Sequence, residues 1–327
     1  MSQRSISVSN LTKNYRIGNF IFGTRIRAVD NISFTMQSDD PWILSIVGES
    51  GCGKTTLAKM LLKSLAPSSG EIKVDDIPLK DFNKGKRSKE YYKRVQTISQ
   101  NPFSAFSPRR TVDCYLFETA RNLTANKKRD AVQELIEETL QTVGLSFSHI
   151  KGKYPNQFSG GELQRISVAR AMLPRPEFIV ADEPVAMIDA SLRMNVINTF
   201  KLIKEKHNTN FIYITHDLST ADYISDYVAI MYRGNIVEFG PAKEVFSKKL
   251  HPYTELLIDS IPTIGKKWTG RKILSGIETK EYTKKGCKFI SRCPYAKDIC
   301  ATVFPIDSYI TQTHRVACHK FSDNPDF

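Results

Sequence analysis

One segment, ILSIVGESGCGKTTLAKMLLKSLA at residues 43–66, constrains the fold more than any other. An apolar run of strand length, residues 42–47, enters a glycine-rich turn and leaves it as a helix-forming run. Within it GESGCGKT, 48–55, has the spacing G-x-x-x-x-G-K-[ST], and the strand–turn–helix context is what gives that spacing meaning. Glycines let the backbone close around phosphates, with N–H groups and the helix N-terminus aimed at the anion. Lys54 brings a positive charge to the β- and γ-phosphates, and the Thr55 hydroxyl suits a Mg²⁺ ion.

EFIVADEP, 177–184, supplies the complementary half. Four apolar residues ending in Asp182 predict a buried strand that delivers a carboxylate to its C-terminal end, where it can hold Mg²⁺ through water. Glu183 follows directly, placed to orient and deprotonate a water attacking the γ-phosphate. His216 ends the next apolar run, FIYITHDL, and would share that sheet edge, as a γ-phosphate contact or as a structural histidine.

The rest of the chain alternates strands and helices. Residues 5–10 and 29–36 read as strands, the latter with Ile32, Phe34 and Met36 on one face. RVQTIS is a further strand. Residues 111–143 read as helical, with Val132, Leu135, Ile136, Leu140 and Val143 at helical spacing. A helix from FSGGE to about 172, a strand at 178–182, a helix at 190–206 and the strand NFIYIT follow. This alternation predicts an α/β fold, a mainly parallel sheet covered by helices. From about 251 it changes to a short helix, a Lys- and Gly-rich loop and a cysteine tail, which puts a boundary near 250–262.

Charge and hydropathy narrow the class. The net charge of +13 admits nucleic acid, a nucleotide or anionic lipid as partner. The basic residues are dispersed, however, and the clusters KGKRSK (84–89) and KKR (127–129) read as solvated faces. No apolar run approaches the roughly 20 residues of a membrane-spanning helix, and MSQRSISVSN lacks the apolar core of a signal peptide. The chain reads as cytosolic, so its six cysteines point to metal ligation or packing rather than disulfides.

Four of them, Cys287, Cys293, Cys300 and Cys318, have the spacing C-x5-C-x6-C-x17-C. That is neither a zinc ribbon nor a common ferredoxin spacing. On ligand type a four-sulfur site suits a [4Fe–4S] cluster or Zn²⁺; four buried free thiols are the other reading. A short basic tail has little core of its own, so a metal staple is expected to hold it. His314 and His319 flank Cys318 and read as solvent-exposed or supporting groups rather than ligands. Cys52 and Cys114 read as packing.

At FSGGE, 158–162, the chain resembles a specific family. A Ser-Gly-Gly turn opening a helix about twenty residues before an Asp-Glu strand end is similar to the signature of ATP-binding cassette proteins. Gln100 in SQNPFSAFSPRR resembles the Q-loop, Asp189 in AMIDAS the D-loop and His216 the switch histidine. Tyr15 in LTKNYRIG is similar to the adenine-stacking aromatic residue, a strand-end core tyrosine being the alternative. The resemblance spans residues 5 to 250. It implies a RecA-like P-loop core with an antiparallel β-subdomain and an α-helical subdomain (about 101–172) in a nucleotide-binding domain of residues 1–250, followed by a small cysteine-rich C-terminal lobe, 251–327.

The same resemblance implies the site. Tyr15, Gly48, Ser50, Gly51, Gly53, Lys54, Thr55, Thr56, Gln100 and Asp182 would contact ATP, with Mg²⁺ on Thr55 and Gln100. Glu183 and His216 would be catalytic. Two such subunits sandwich ATP head to tail, Ser159, Gly160, Gly161 and Glu162 of each completing the site of the other. The helical insert would carry the motion to membrane partners, hinged after Gln100. Two departures stand out: the signature ends in Glu162 where Gln is more usual, adding negative charge near a phosphate, and the D-loop reads AMID.

QNPFSAFSPRRTV, HPYTELL (251–257) and the tail GCKFISRCPYAKDIC…VACH together resemble the oligopeptide/dipeptide importer branch of these ATPases, extending the match to about residue 320. That resemblance implies a heterodimer with a paralogous ATPase, two transmembrane permease subunits and an external binding protein, at the cytoplasmic face of the membrane. It implies peptides, nickel complexes or oligosaccharides as cargo, and a [4Fe–4S] cluster rather than Zn²⁺ on the four cysteines. The contrasting readings are a soluble cassette ATPase acting on nucleic acid or ribosomes, and a redox module with secondary ATPase activity. Against the former, the chain has neither a long coiled-coil insert nor a second cassette.

Overall fold

The computed structural model describes residues 4–17, 24–83, 85–125, 128–260 and 279–322. It divides the chain into two units, one drawn from Met1–Ile6, Gln37–Ile43 and Lys73–Ile214, the other from Ser7–Met36, Leu44–Ile72 and Thr215–Phe327.

In the first unit the strands Val95–Ile98, Phe178–Asp182 and Asn210–Thr215 run parallel, with Phe178 opposite both Val95 and Asn210. Phe178–Asp182 and the interior of Asn210–Thr215 are the unbroken apolar runs of strands covered on both faces, whereas Val95–Ile98 carries the half-buried Gln96 and the exposed Thr97. Asp182 is the first residue of its strand to leave the core, so the carboxylate emerges at the C-terminal end, beside Ile214. Between the first two strands lies a helical insert: Val112–Leu123, Arg129–Thr142, Phe147–Ile150 and Gly160–Met172. The single helical stretch expected over 111–143 is thus two helices. The first ends at Thr124, whose hydroxyl donates to the Ala120 carbonyl at 2.6 Å. In the second, Val132, Ile136 and Leu140 are buried, as the periodicity predicts.

A helix at Gly85–Arg94 was not expected, because its residues read only as a basic cluster. Tyr91 is its buried anchor, ring to ring with Phe82 at 5.4 Å; Lys86, Arg87, Lys89 and Lys93 are exposed, while Arg94 turns inward to pair with Asp75 and with Glu177 at 2.8 Å. Lys84 and Lys127, at the ends of the two predicted clusters, lie outside the described residues, as does the Lys- and Gly-rich loop within 261–278.

In the second unit Thr24–Ser38 lies beside Arg4–Ile17, and Arg4–Ile17 beside Ser69–Val74. Ile32, Phe34 and Met36 are buried in alternation. Ile43–Val47 pairs in parallel with Tyr227–Tyr232, which turns back antiparallel into Asn235–Pro241. The Arg233–Gly234 turn has positive φ at both residues, as a two-residue hairpin prefers. Two apolar runs around RG in YVAIMYRGNIVEFG carried that signal.

The tail is not a lobe of its own. Arg315–Ala317 pairs antiparallel with Asn235–Pro241, and Asp307–Tyr309 extends the sheet by one more strand. Phe289 is 1% exposed and stands 5.3 Å from the Tyr232 ring and 5.5 Å from that of Tyr253. Burying three such rings contributes roughly 1.5–3 kcal/mol each. The tail's attachment therefore runs through sheet pairing and aromatic packing, contacts that sequence spacing does not reveal.

His314 departs from its expected exposure. It is fully buried, and its Nε2 lies 2.9 Å from Glu238 Oε1. Glu238, itself buried, also accepts the backbone N–H groups of Leu250 and His251. A buried carboxylate needs such a set of partners. His251 accepts the Tyr253 N–H at 3.0 Å to cap the helix Pro252–Asp259, and burial pushes its pKa down to about 4, Glu238 acting in the other direction. His319 is likewise buried, within 2.9 Å of the Val303 carbonyl. Among the described residues no helix is long and apolar enough to cross a membrane.

Candidate nucleotide site

The second unit carries the phosphate loop. Strand Ile43–Val47 ends at Gly48, and helix Lys54–Leu61 begins with Gly53 as its N-cap. No acidic residue occupies the first turn and no side chain caps it. Its N–H groups and dipole therefore remain available to an anion. Two glycines are compulsory. A Cβ on Gly48 would meet the Met231 carbonyl oxygen at 2.1 Å; one on Gly53 would meet that of Ala28 at 2.0 Å, at a φ of +111°.

Lys54 is buried, and its ammonium donates to the Gly48 and Glu49 carbonyls at 2.7 and 3.0 Å, beneath the loop it serves. The Thr55 hydroxyl lies one residue on, at an exposed position, with Thr56 half-buried and Ser50 and Gly51 exposed at the tip. Cys52 is fully buried and its thiol pKa is raised by burial, as expected of a packing residue. Cys114 is not packing: it is exposed, 3.1 Å from the Thr111 hydroxyl. Tyr15 is 39% exposed with the Lys13 ammonium 5.9 Å from its ring centre, so it is no core tyrosine. His216 is exposed, one residue beyond strand Asn210–Thr215.

The first unit brings together Gln100 and Glu183. The Gln100 Nε2 donates to Glu183 Oε2 at 3.1 Å. Glu183 has φ +46°, a conformation that costs a non-glycine residue roughly 1–3 kcal/mol, and its N–H is anchored on the Ile214 carbonyl at 2.8 Å. Strain at a residue so firmly held aims the carboxylate rather than leaving it to the strand's own direction.

The signature turn is in the same unit. Ser159 caps helix Gly160–Met172, its hydroxyl accepting from the Glu162 N–H, while the Glu162 carboxylate accepts from the Ser159 N–H at 2.9 Å and hydroxyl at 2.8 Å. This is a capping box, and Glu162 also lies 3.1 Å from His149 Nε2. Hydrogen bonds from Ser159, first its N–H and then its hydroxyl, hold the Glu162 pKa below its ordinary value. Glu162 thus has a local structural reason that its charge alone did not suggest. The glycines beside it have none: a Cβ on Gly160 or Gly161 meets nothing closer than 3.4 Å, and neither has positive φ. Asp189 precedes helix Ala190–His207 at an exposed position.

The segment after Gln100 is tied to the signature helix. Arg170 donates to the Ala105 carbonyl and to the Thr119 hydroxyl, both at 3.1 Å, and lies 5.6 Å from the Phe106 ring centre. Sequence reading gave Arg170 no role.

In the tail, Cys287, Cys293, Cys300 and Cys318 line one pocket, with His251, Pro252 and Phe289. The donors agree in kind with a thiolate-bound metal. They do not agree in spacing: among the described residues no group of three or more His, Cys, Asp or Glu side chains is arranged to hold a metal ion. Burial, with the neighbouring thiols, raises the Cys287 pKa to about 11, and burial also raises those of Cys293 and Cys318.

The ABC transporter profile matches residues 29–186, and the profile "Oligopeptide/dipeptide transporter, C-terminal region" matches 237–300. The chain is 37% identical to the oligopeptide transport ATP-binding protein AppF of Bacillus subtilis, over 91% of this chain and 90% of that one. It is 34% identical to the di/tripeptide transport ATP-binding protein DppF of Pseudomonas aeruginosa, over 96% and 97%. Among solved structures, the dimeric ATP-binding cassette MJ0796 bound to ADP and Pi superposes with a TM-score of 0.63 at 22% identity, covering 72% of this chain and 98% of that one, which shows the shared fold. The cbiO1 cassette of Clostridium perfringens gives 0.62 at 25% identity, over 75% and 91%. A phosphate loop, an acid pair at a strand end, a signature helix and near-full-length likeness lead to one conclusion: the chain belongs to the ATP-hydrolysing subunits of ABC transporters, in the oligopeptide/dipeptide importer branch.

Proposed function

We propose that this ATPase energises the uptake of short peptides from the cytoplasmic face of a membrane, paired with a paralogous ATPase and docked on two transmembrane permease subunits that an external binding protein supplies. The observation that carries this reading is the oligopeptide/dipeptide C-terminal profile at 237–300, downstream of a cassette profile at 29–186. Those two matches also support a nucleotide-binding domain of residues 1–250 and a transporter-type C-terminal region of residues 251–327.

Gly48–Thr56 takes the phosphates of ATP on backbone N–H groups, Lys54 leaves its loop carbonyls for the β/γ-oxygens, and Tyr15 stacks on the base. Thr55 and Gln100, with Asp182 through water, would hold a Mg²⁺ ion, which when bound would neutralise charge on the β- and γ-phosphates. Glu183 accepts the proton of the attacking water, Gln100 keeps its carboxylate oriented, and His216 contacts the γ-phosphate. Ser159, Gly160 and Gly161 bind the γ-phosphate of the partner's nucleotide, with Asp189 at the same junction. The Arg170 contacts make the signature helix and the segment after Gln100 move together, which suits a coupling element.

Glu162 favours an unequal pair. Its carboxylate occupies the Ser159 hydroxyl and adds negative charge beside the phosphate that Ser159 would bind. The site completed by this chain's signature is therefore the weaker of the two.

Purification of the chain from its native membrane tests the reading. Two multi-spanning proteins and a homologous ATPase are expected to accompany it. Recovery with DNA or ribosomal RNA in a salt-sensitive complex would displace it.

For the four cysteines the proposed ligand is the [4Fe–4S] cluster that the family resemblance implies, and its one support in the fold is that the four line a single pocket. No step of hydrolysis runs through it. Serine at any one of the four positions is expected to abolish bound iron and its visible absorbance; iron retained in all four variants refutes the assignment.

A further inference from the structure

The phosphate-loop motif leaves its second position open to any residue, and this chain puts Glu49 there. A carboxylate beside a site for a polyanion is unfavourable unless something neutralises it. The neutralising group comes from the tail. Arg292 grips Glu49 in a fork, its two terminal nitrogens 3.1 and 2.9 Å from the two carboxylate oxygens. Arg233 lies 3.8 Å from the same carboxylate and is itself bonded to Glu281 at 2.8 Å.

The backbone of the loop is held as well. The Glu49 N–H donates to the Tyr253 hydroxyl at 2.9 Å, and the Tyr282 hydroxyl donates to the Gly51 carbonyl. The Glu49 carbonyl is one of the two that receive the Lys54 ammonium. Three points on a six-residue turn, the Glu49 N–H, the Glu49 carboxylate and the Gly51 carbonyl, thus depend on residues from 253 to 292. Glycine-rich turns lose more entropy on ordering than other backbone, so a turn already fixed binds its ligand more tightly than a free one.

We propose that Arg292 and Tyr282 are positioning residues for ATP binding: the C-terminal region holds Glu49 and Gly51, neutralises the extra carboxylate, and so sets the affinity of the phosphate loop. The proposal goes beyond the transport reading, which asks only that the tail mark the branch of transporter. A bidentate Arg–carboxylate pair, 10% and 25% exposed, is the geometry in which such a link is strong.

The full chain's ATP hydrolysis separates this from a general packing role. Arg292→Gln is expected to raise KM for ATP about tenfold, with kcat within about twofold. Arg292→Lys keeps a cation at Glu49 and is expected to recover most of that loss. Tyr282→Phe removes one hydroxyl, keeps the ring, and is expected to raise KM about threefold; it decides the matter if Arg292→Gln does not fold. A KM unchanged in Arg292→Gln or Tyr282→Phe overturns the proposal, as does an Arg292→Lys variant as defective as Arg292→Gln. If the unaltered chain neither binds nor hydrolyses ATP, the ATPase reading fails instead.

Discussion

Glu183→Gln is expected to bind ATP with near-normal affinity and to hydrolyse it roughly 10²–10⁴-fold more slowly, the range for a positioned general base. The side chain keeps its size, the backbone keeps its 2.8 Å bond to Ile214, and the amide oxygen still accepts from Gln100. Only the proton acceptor is lost. Binding is followed by titration with ATP, and chemistry by single-turnover hydrolysis under the same conditions. Turnover within tenfold of the unaltered chain would remove Glu183 from the role. A matching fall in affinity would mean that the substitution had disturbed the strand end rather than the base.

Gly53→Ala is expected to abolish measurable ATP binding and to lower stability by about 2–4 kcal/mol. Two penalties act together. The φ of +111° lies where side-chain-bearing residues seldom go, and the new Cβ would stand 2.0 Å from the Ala28 carbonyl oxygen, an atom of backbone that has no rotamer to escape into. The turn must open, which takes the helix N-terminus and Lys54 out of register with each other. Gly160→Ala is the contrast: its nearest neighbour is at 3.4 Å, so thermal stability should not change. Thermal melts of both variants, with and without ATP, check the pair; an ATP-stabilised Gly53→Ala chain would contradict the steric argument.

Much of the catalytic constellation is legible because each part is local. GESGCGKT holds its chemistry within eight positions, and FIVAD announces its own burial and the place where its carboxylate emerges. The contact between Gln100 and Glu183 was not legible as such, though each residue was: it depends on the parallel register that places Ile98 beside Ala181. Of the two readings given to the histidines near Cys318, solvent exposure or a supporting place, exposure fails for the opposite reason. Polar residues in a short basic tail look solvated, and nothing nearby shows that His314 has a buried carboxylate 76 positions earlier to satisfy. Helix Gly85–Arg94 was hidden by composition, since one buried tyrosine leaves almost no periodic signal.

The sequence alone determined what chemistry this chain performs. The spacing of glycines, lysine, threonine and acids dictates a nucleotide site wherever a strand and helix flank it, and those interactions span only neighbouring residues. Only the tertiary structure decided what holds that site in place. Arg292 meets Glu49 across 243 positions, and Tyr282 meets Gly51 across 231. Contacts at that separation follow from the packing of Phe289 between Tyr232 and Tyr253 and from the tail strand's pairing with Asn235–Pro241, and no local pattern encodes either.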